Sequence, residues 1–200
     1  MARTRQVLFI QGGGAGVHDD WDDKLFGSLR RELGDGCEVR YPRMPDEDDP
    51  SYGRWSAAIR REITALGDGA VVAGHSVGGT ILINVLAERS PERELRAIVL
   101  IGAPFVGADG WPGAELELPH DLGASLPQGV PVHVFHGLAD ETSPPWHADL
   151  YARAIPQAQL HRLPERDHQL SNNLSEVAKA VSPDDPGSLT RRVSTSPDPS

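Results

Sequence analysis

The chain has 200 residues, the size of one domain with its own hydrophobic core. Its formal net charge of −10 argues against nucleic acid and anionic membranes as partners, since both attract basic surfaces. Cys37 is the single cysteine, which excludes an internal disulfide and favours a reducing, cytoplasmic setting. The apolar run near the start is too short for a signal peptide, and we expect no membrane-spanning helix.

Short apolar runs recur along the chain and predict strands that are covered on both faces, as in a parallel sheet. These runs are residues 7–10, 70–73, 97–101 and 132–135. Weaker patterns over 38–41 and 159–163 predict two further strands nearer the edges.

Apolar residues at intervals of three and four predict helices between these strands. The helical segments are 21–33, 55–66, 77–87, 145–155 and 172–180. This alternating order predicts an α/β fold with a mostly parallel sheet and right-handed crossovers. We expect Trp21 and Trp55 to pack in the core from their helices, whereas Trp111 is the candidate substrate-side aromatic.

The domain organisation follows from composition. A single folded domain is predicted over residues 1–181, followed by a disordered tail over 182–200 that lacks apolar periodicity. The acidic, proline-bounded segment 43–53 predicts a loop. The Gly/Pro-rich connection 104–129 is long, and loops of that length tend to be functional or disordered.

The motif GHSVG, residues 74–78, follows a predicted strand and leads directly into a predicted helix. Such an abrupt turn strains the central residue, and its neighbours two positions away must lack side chains, as Gly74 and Gly78 do. The turn would expose Ser76 as a nucleophile and leave the Val77 N–H free to bind a developing negative charge. The alternative is a glycine-rich connection with a bystander serine.

A serine nucleophile needs a general base and an acid that orients the base. His168 follows the last predicted strand by a short polar loop, so it is the candidate base among the eight histidines. Asp140 follows the preceding strand and is the candidate acid, with Asp109 as the alternative. A turn or helix-capping role is the structural alternative for Asp140.

The order Ser76, Asp140, His168 and the segments VLFIQGGG, VVAGHSVGG and VHVFHGLADETSP resemble the α/β-hydrolase superfamily. Within it, the chain is similar to the small, lid-poor serine hydrolases of the retinoblastoma-binding-protein type. The resemblance runs from about residue 6 to residue 180. It implies a sheet of about six strands, mostly parallel, with helices on both faces and no or a minimal lid.

The same resemblance implies an oxyanion hole. Val77, next to the nucleophile, would supply one backbone donor, and Gly13 in QGGGAG would supply the other, with Gly14 as the alternative. Gln11 stands where many members of the superfamily have histidine. The glycine loop lacks the lysine of a phosphate-binding loop and the spacing of a dinucleotide site.

These observations predict a serine hydrolase that cleaves small carboxylic esters or thioesters through an acyl-enzyme. The expected partner is a small ester or acyl substrate, and the chemistry needs neither a cofactor nor a metal. A non-catalytic binding protein on the same fold is one alternative. A peptidase or a lyase that uses the same triad is another.

Overall fold

The computed structural model describes residues 5–182, so all of the predicted tail except Ser182 lies outside the described residues. Six strands form one sheet in the order β2-β1-β3-β4-β5-β6, and all five neighbouring pairs are parallel. The strands are β1 Arg5–Ile10, β2 Cys37–Arg40, β3 Ala70–His75, β4 Leu95–Ile101, β5 Val132–Gly137 and β6 Gln159–Leu163. The predicted sheet is confirmed, and the two weaker patterns form its edges.

Helices cover both faces of this sheet. They are α1 Asp22–Leu33, α2 Tyr52–Thr64, α3 Ser76–Glu88, α4 Leu122–Ser125, α5 Trp146–Ala154 and α6 Ser175–Val181. Helices α2 to α5 bury their apolar residues in one cluster, and α1 and α6 bury theirs in a second cluster on the opposite face. No helix within residues 5–182 is long and apolar enough to cross a membrane.

The strands connect the two clusters because their side chains alternate between the faces of the sheet. In β1, Leu8 and Ile10 belong to the first cluster, whereas Val7 and Phe9 belong to the second. All six residues of the central strand β3 are buried. This explains why the runs that predicted the central strands are apolar without a polar alternation.

The prediction for Trp21 is wrong. The chain forms a π-helical turn over Val17–Trp21 before α1 begins, and this turn leaves Trp21 56% exposed beside the Lys24 ammonium. Trp55 is fully buried, as predicted, and its indole N–H donates to the Pro45 carbonyl at 2.8 Å. Helical periodicity alone did not separate the two residues, since it does not locate the first turn of a helix.

The long connection 104–129 is ordered and packs against α3. Leu118 and Leu122 are buried in the first cluster, and the Asn84 side chain donates to the Glu117 carbonyl at 3.2 Å. Its helical content is limited to the turn Ala114–Leu116 and the four residues of α4. The lid of this fold is therefore small or absent, as the sequence predicted.

Candidate active site

Strand β3 ends at His75 and α3 begins at Ser76, with no loop between them. Ser76 has φ of 52°, in the left-handed region that residues with side chains rarely adopt. A Cβ placed on Gly74 would lie 2.6 Å from Gly79 Cα, so the turn requires a glycine before the serine. The strained turn after β3 that the motif predicted is present.

Gly78 is required chiefly by the neighbouring chain after β1. A Cβ placed on Gly78 would overlap the carbonyl oxygen of Gln11, far inside van der Waals contact. From the sequence, this glycine is expected for the strained turn alone. The structure adds that Gly78 lets the nucleophile turn approach the glycine loop, which is the segment predicted to bind the oxyanion.

The three residues predicted to form a triad lie together at the carboxyl end of the sheet. His168 Nε2 is 3.0 Å from Ser76 Oγ, and His168 Nδ1 is 2.8 Å from Asp140 Oδ2. Asp140 belongs to the loop after β5, and His168 to the loop after β6. Asp109, the alternative acid, is instead an exposed residue of a left-handed turn.

Asp140 is held as a buried carboxylate, with a side chain that its neighbours fix. Its Oδ1 accepts the backbone N–H groups of Thr142 and Ser143 at 2.9 and 2.8 Å. Burial acts to raise the pKa of Asp140, but hydrogen bonds from His136 and His168 outweigh it and hold the pKa well below its usual range. An ionised Asp140 accepts the Nδ1–H of His168 and leaves Nε2 as the nitrogen that faces the serine.

Two of the three loop glycines already use their backbone N–H groups. The Gly12 N–H donates to the buried carboxylate of Asp22 at 2.6 Å, and the Gly14 N–H donates to the Glu47 carbonyl at 2.6 Å. Within residues 5–182, the Gly13 N–H makes no hydrogen bond. A Cβ placed on Gly13 would lie 2.8 Å from Val77 Cγ1, so the loop lies directly against the first turn of α3. Of the two glycines considered from sequence, Gly13 is the one with an available donor.

Gln11 anchors the acidic loop 43–53 beneath the glycine loop. It is fully buried, its Oε1 accepts the Met44 N–H at 3.0 Å, and its Nε2 donates to Glu47 Oε2 at 2.5 Å. Glu47 in turn accepts the His18 N–H at 3.2 Å. The glutamine therefore stabilises the glycine loop through side-chain hydrogen bonds, and the acidic loop has a structural role there.

A second buried aspartate–histidine pair, which was not predicted from the sequence, lies at this site. Asp22, the first residue of α1, is fully buried, and its Oδ2 accepts from His75 Nδ1 at 2.9 Å and from the Gly12 N–H at 2.6 Å. Its Oδ1 accepts from Gln169 Nε2 at 3.3 Å, and His75 Nε2 donates to the His168 carbonyl at 3.1 Å. The sequence signal was weak, because an aspartate in the first turn of a helix is common.

The pKa shifts of Asp22 and His75 are opposite in sign, and each favours the charged form of its side chain. Burial acts to raise the pKa of Asp22, but the charge of His75 and its hydrogen bond outweigh it, and the pKa is lowered. Burial acts to lower the pKa of His75, but the Asp22 carboxylate outweighs it, and the pKa is raised. Both shifts favour the charged forms, and both ring nitrogens of His75 face oxygen acceptors, so shifts and geometry together support a buried ion pair.

A sequence profile for the alpha/beta hydrolase family matches residues 7–131. The chain therefore belongs to the alpha/beta hydrolase family. A search of curated proteins found no match.

Solved structures share this fold at low sequence identity. The ydeN gene product of B. subtilis superposes with a TM-score of 0.70, at 19% identity over 89% of this chain and 98% of that one. XC6422 from Xanthomonas campestris, described as a serine hydrolase without a lid, gives 0.60 at 18% identity over 90% and 80%. Est1E from Butyrivibrio proteoclasticus, with ferulic acid bound, gives 0.64 at 16% identity over 88% and 86%. Hydrolases of this kind thus share the architecture described above.

Proposed function

We propose that this protein is a serine hydrolase that cleaves small carboxylic ester or thioester bonds through an acyl-enzyme formed on Ser76. The observation that carries the proposal is the hydrogen-bond chain from Ser76 Oγ through His168 to the Asp140 carboxylate, 3.0 and 2.8 Å long. Membership of the alpha/beta hydrolase family and the serine hydrolases among the similar structures support it.

In the first half of the reaction, His168 Nε2 takes the proton of Ser76 as Oγ attacks the substrate carbonyl carbon. Asp140 keeps the proton of the neutral imidazole on Nδ1 and stabilises the imidazolium that forms. His168 then gives its Nε2 proton to the departing alkoxide or thiolate, and the acyl group stays on Ser76. In the second half, His168 Nε2 takes a proton from water as the water oxygen attacks the acyl carbon. The bond between the acyl carbon and Ser76 Oγ then breaks, His168 returns the proton to Oγ, and the carboxylic acid leaves.

The negative charge on the carbonyl oxygen needs donors that are already in place. We assign the N–H groups of Val77 and Gly13 to this role, since the first lies at the N-terminus of α3 and the second has no partner within residues 5–182. Each donor of this kind contributes a factor of about 10² to 10³ to kcat in other acyl-transfer enzymes.

The substrate class follows from the surroundings of the serine. With a small or absent lid, little protein surface encloses the acyl group, which suits small or flexible esters and thioesters. Trp111 is 37% exposed and Trp146 is 43% exposed, and both rings contact His147. We propose that Trp111 lies on the substrate side. We also propose that residues 1–181 form one domain and that the protein is cytoplasmic.

The proposal is tested by turnover of p-nitrophenyl acetate, butyrate and octanoate and of an acyl thioester. We expect the parent protein to hydrolyse the short esters fastest, and Ser76→Ala to lose a factor of about 10⁴ or more in kcat. Ser90→Ala is the matched control, because Ser90 is an exposed residue after α3. Equal rates for the parent and Ser76→Ala, both folded by circular dichroism, would instead support a non-catalytic binding protein.

A further inference from the structure

The ion pair between Asp22 and His75 lies directly behind the proposed catalytic residues. Both side chains are at most 1% exposed, and His75 immediately precedes Ser76 in the chain. The ring centroids of His75 and His168 are 4.8 Å apart. The triad mechanism uses neither residue of the pair, and burying two charged groups is costly unless their hydrogen bonds are satisfied.

We propose that the Asp22–His75 ion pair positions the nucleophile turn, the glycine loop and the loop that carries His168. We further propose that the proton on His75 keeps these three segments in their reactive arrangement. This inference rests on the proposed serine hydrolase function. Asp22 and His75 are positioning residues, since they act through Ser76, His168 and Gly12 and contact no reacting atom.

The hydrogen bonds of the pair reach each of these loops. Asp22 holds the glycine loop by accepting the Gly12 N–H at 2.6 Å. It holds the loop after β6, which carries His168, by accepting from the Gln169 amide at 3.3 Å. His75 also contacts the loop after β6, because its Nε2 donates to the carbonyl of His168 at 3.1 Å. One buried pair thus joins the nucleophile turn, the glycine loop and the loop of the base.

The partners of His75 require both of its ring nitrogens to carry a proton. Nδ1 faces a carboxylate oxygen and Nε2 faces a carbonyl oxygen, and each of these groups only accepts hydrogen bonds. His75 is faced by Asp22 from α1, by Asp140 from the loop after β5 and by the ring of His168 from the loop after β6. The two carboxylates favour the imidazolium, whereas a protonated His168 would oppose it.

Loss of a proton from His75 would break one of its two hydrogen bonds. Because the pKa of His75 is raised, its imidazolium persists to a higher pH than that of a free histidine, and the ion pair is lost as pH rises through the raised value. Reactivity of Ser76 should therefore fall at alkaline pH. A misplacement of about 1 Å in such a site can cost a factor of about 10² in rate.

Asp22→Asn separates charge from hydrogen bonding. Its oxygen can still accept from Gly12 and His75, and its amide can donate to Gln169 Oε1, which is buried and has no partner within residues 5–182. Without the carboxylate, His75 should lose its proton at lower pH. We expect the rate of Ser76 labelling by a fluorophosphonate probe to begin its alkaline fall at lower pH than in the parent. At an alkaline pH where the parent is still labelled, Asp22→Asn should be labelled more slowly by about tenfold or more.

The controls use neighbouring positions. Asp23→Asn changes an exposed aspartate one residue away and should leave the parent profile unchanged. His75→Gln keeps one donor and cannot titrate, so its labelling should be slower than that of the parent and should lack the alkaline fall. Identical pH profiles for the parent, Asp22→Asn and His75→Gln would overturn the inference.

A measurement independent of labelling distinguishes this inference from the proposed function. ¹⁵N NMR of histidine in Ser76→Ala should find both ring nitrogens of His75 protonated at pH 7, and a neutral ring would overturn the inference. Hydrogen exchange should be faster over residues 11–16 and 164–172 in Asp22→Asn than in Asp23→Asn, and equal exchange would also overturn it. A parent that is not labelled would refute the serine hydrolase, whereas these two results still decide on the ion pair.

Discussion

His168 Nδ1 lies 2.8 Å from Asp140 Oδ2, and the other oxygen of that carboxylate accepts two backbone N–H groups. The loop of Asp140 thus fixes the carboxylate independently of its contact with the histidine. Asp140→Asn, with its oxygen kept towards the loop, would present an amide N–H to His168 Nδ1 and disturb the tautomer of the histidine.

We therefore expect kcat for p-nitrophenyl acetate to fall by about 10⁴-fold in Asp140→Asn, with a smaller change in KM. Steady-state kinetics on protein of verified fold makes the measurement. Asp121→Asn, at an exposed aspartate, provides the control and should match the parent. A parent-like kcat in Asp140→Asn would remove Asp140 from the proposed triad.

The sequence was sufficient to predict the sheet, its edges and the three residues that come together at the carboxyl end. It was sufficient because each of those residues follows a strand, either directly or after a short loop, and the strands have clear apolar signatures. The Asp22–His75 pair gave a weaker signal, since Asp22 begins a helix and meets His75 only because of where α1 begins. Exposure of Trp21 was missed for the same reason, because the first turn before α1 is π-helical.

Gly13→Ala tests the assignment of the second oxyanion donor. The added Cβ would lie 2.8 Å from Val77 Cγ1 and 2.7 Å from Pro50 Cγ, so either these side chains or the loop must shift, and a shift of the loop displaces its N–H. We expect kcat to fall by about 10²-fold, the loss seen when one oxyanion donor is removed. The free energy of unfolding, measured with urea, separates this effect from general destabilisation. An unchanged kcat would count against Gly13 as the second oxyanion donor.

Gly27→Ala tests whether a glycine inside α1 lowers the stability of the protein. A Cβ at Gly27 meets no atom within 4 Å, and alanine is favoured over glycine in a helix. We expect the free energy of unfolding to rise by about 0.5–1 kcal/mol in urea denaturation. Gly34→Ala is the contrasting variant, because Gly34 has φ of 66° and alanine there should be destabilising. A loss of stability in Gly27→Ala would refute the prediction.

His147 should make the protein lose stability in mild acid. Burial, with a contribution from the charge of His136, lowers the pKa of His147 to about 4. An unfolded histidine has a pKa of about 6.5, so between these values the unfolded state binds more protons. Stability should therefore decline as pH falls from about 6.5 towards 4.

The matching variant is His147→Gln, which can still accept the Phe105 N–H through its side-chain oxygen. We expect its free energy of unfolding to change less between pH 6.5 and 4.5 than that of the parent. The exposed residue His120 supplies the control variant, His120→Gln, whose pH dependence should equal that of the parent. If His147→Gln and the parent have the same slope, His147 is not the titrating group.

The central claim is that Ser76 is an activated nucleophile, and a fluorophosphonate probe tests it most directly. We expect the parent protein to be labelled covalently, with the adduct mapped to the peptide that contains Ser76, and Ser76→Ala to remain unlabelled. That result would establish the nucleophile and leave the substrate to be found by screening. A folded parent that is not labelled would contradict the account, because a serine hydrogen-bonded to His168 in the proposed way should react.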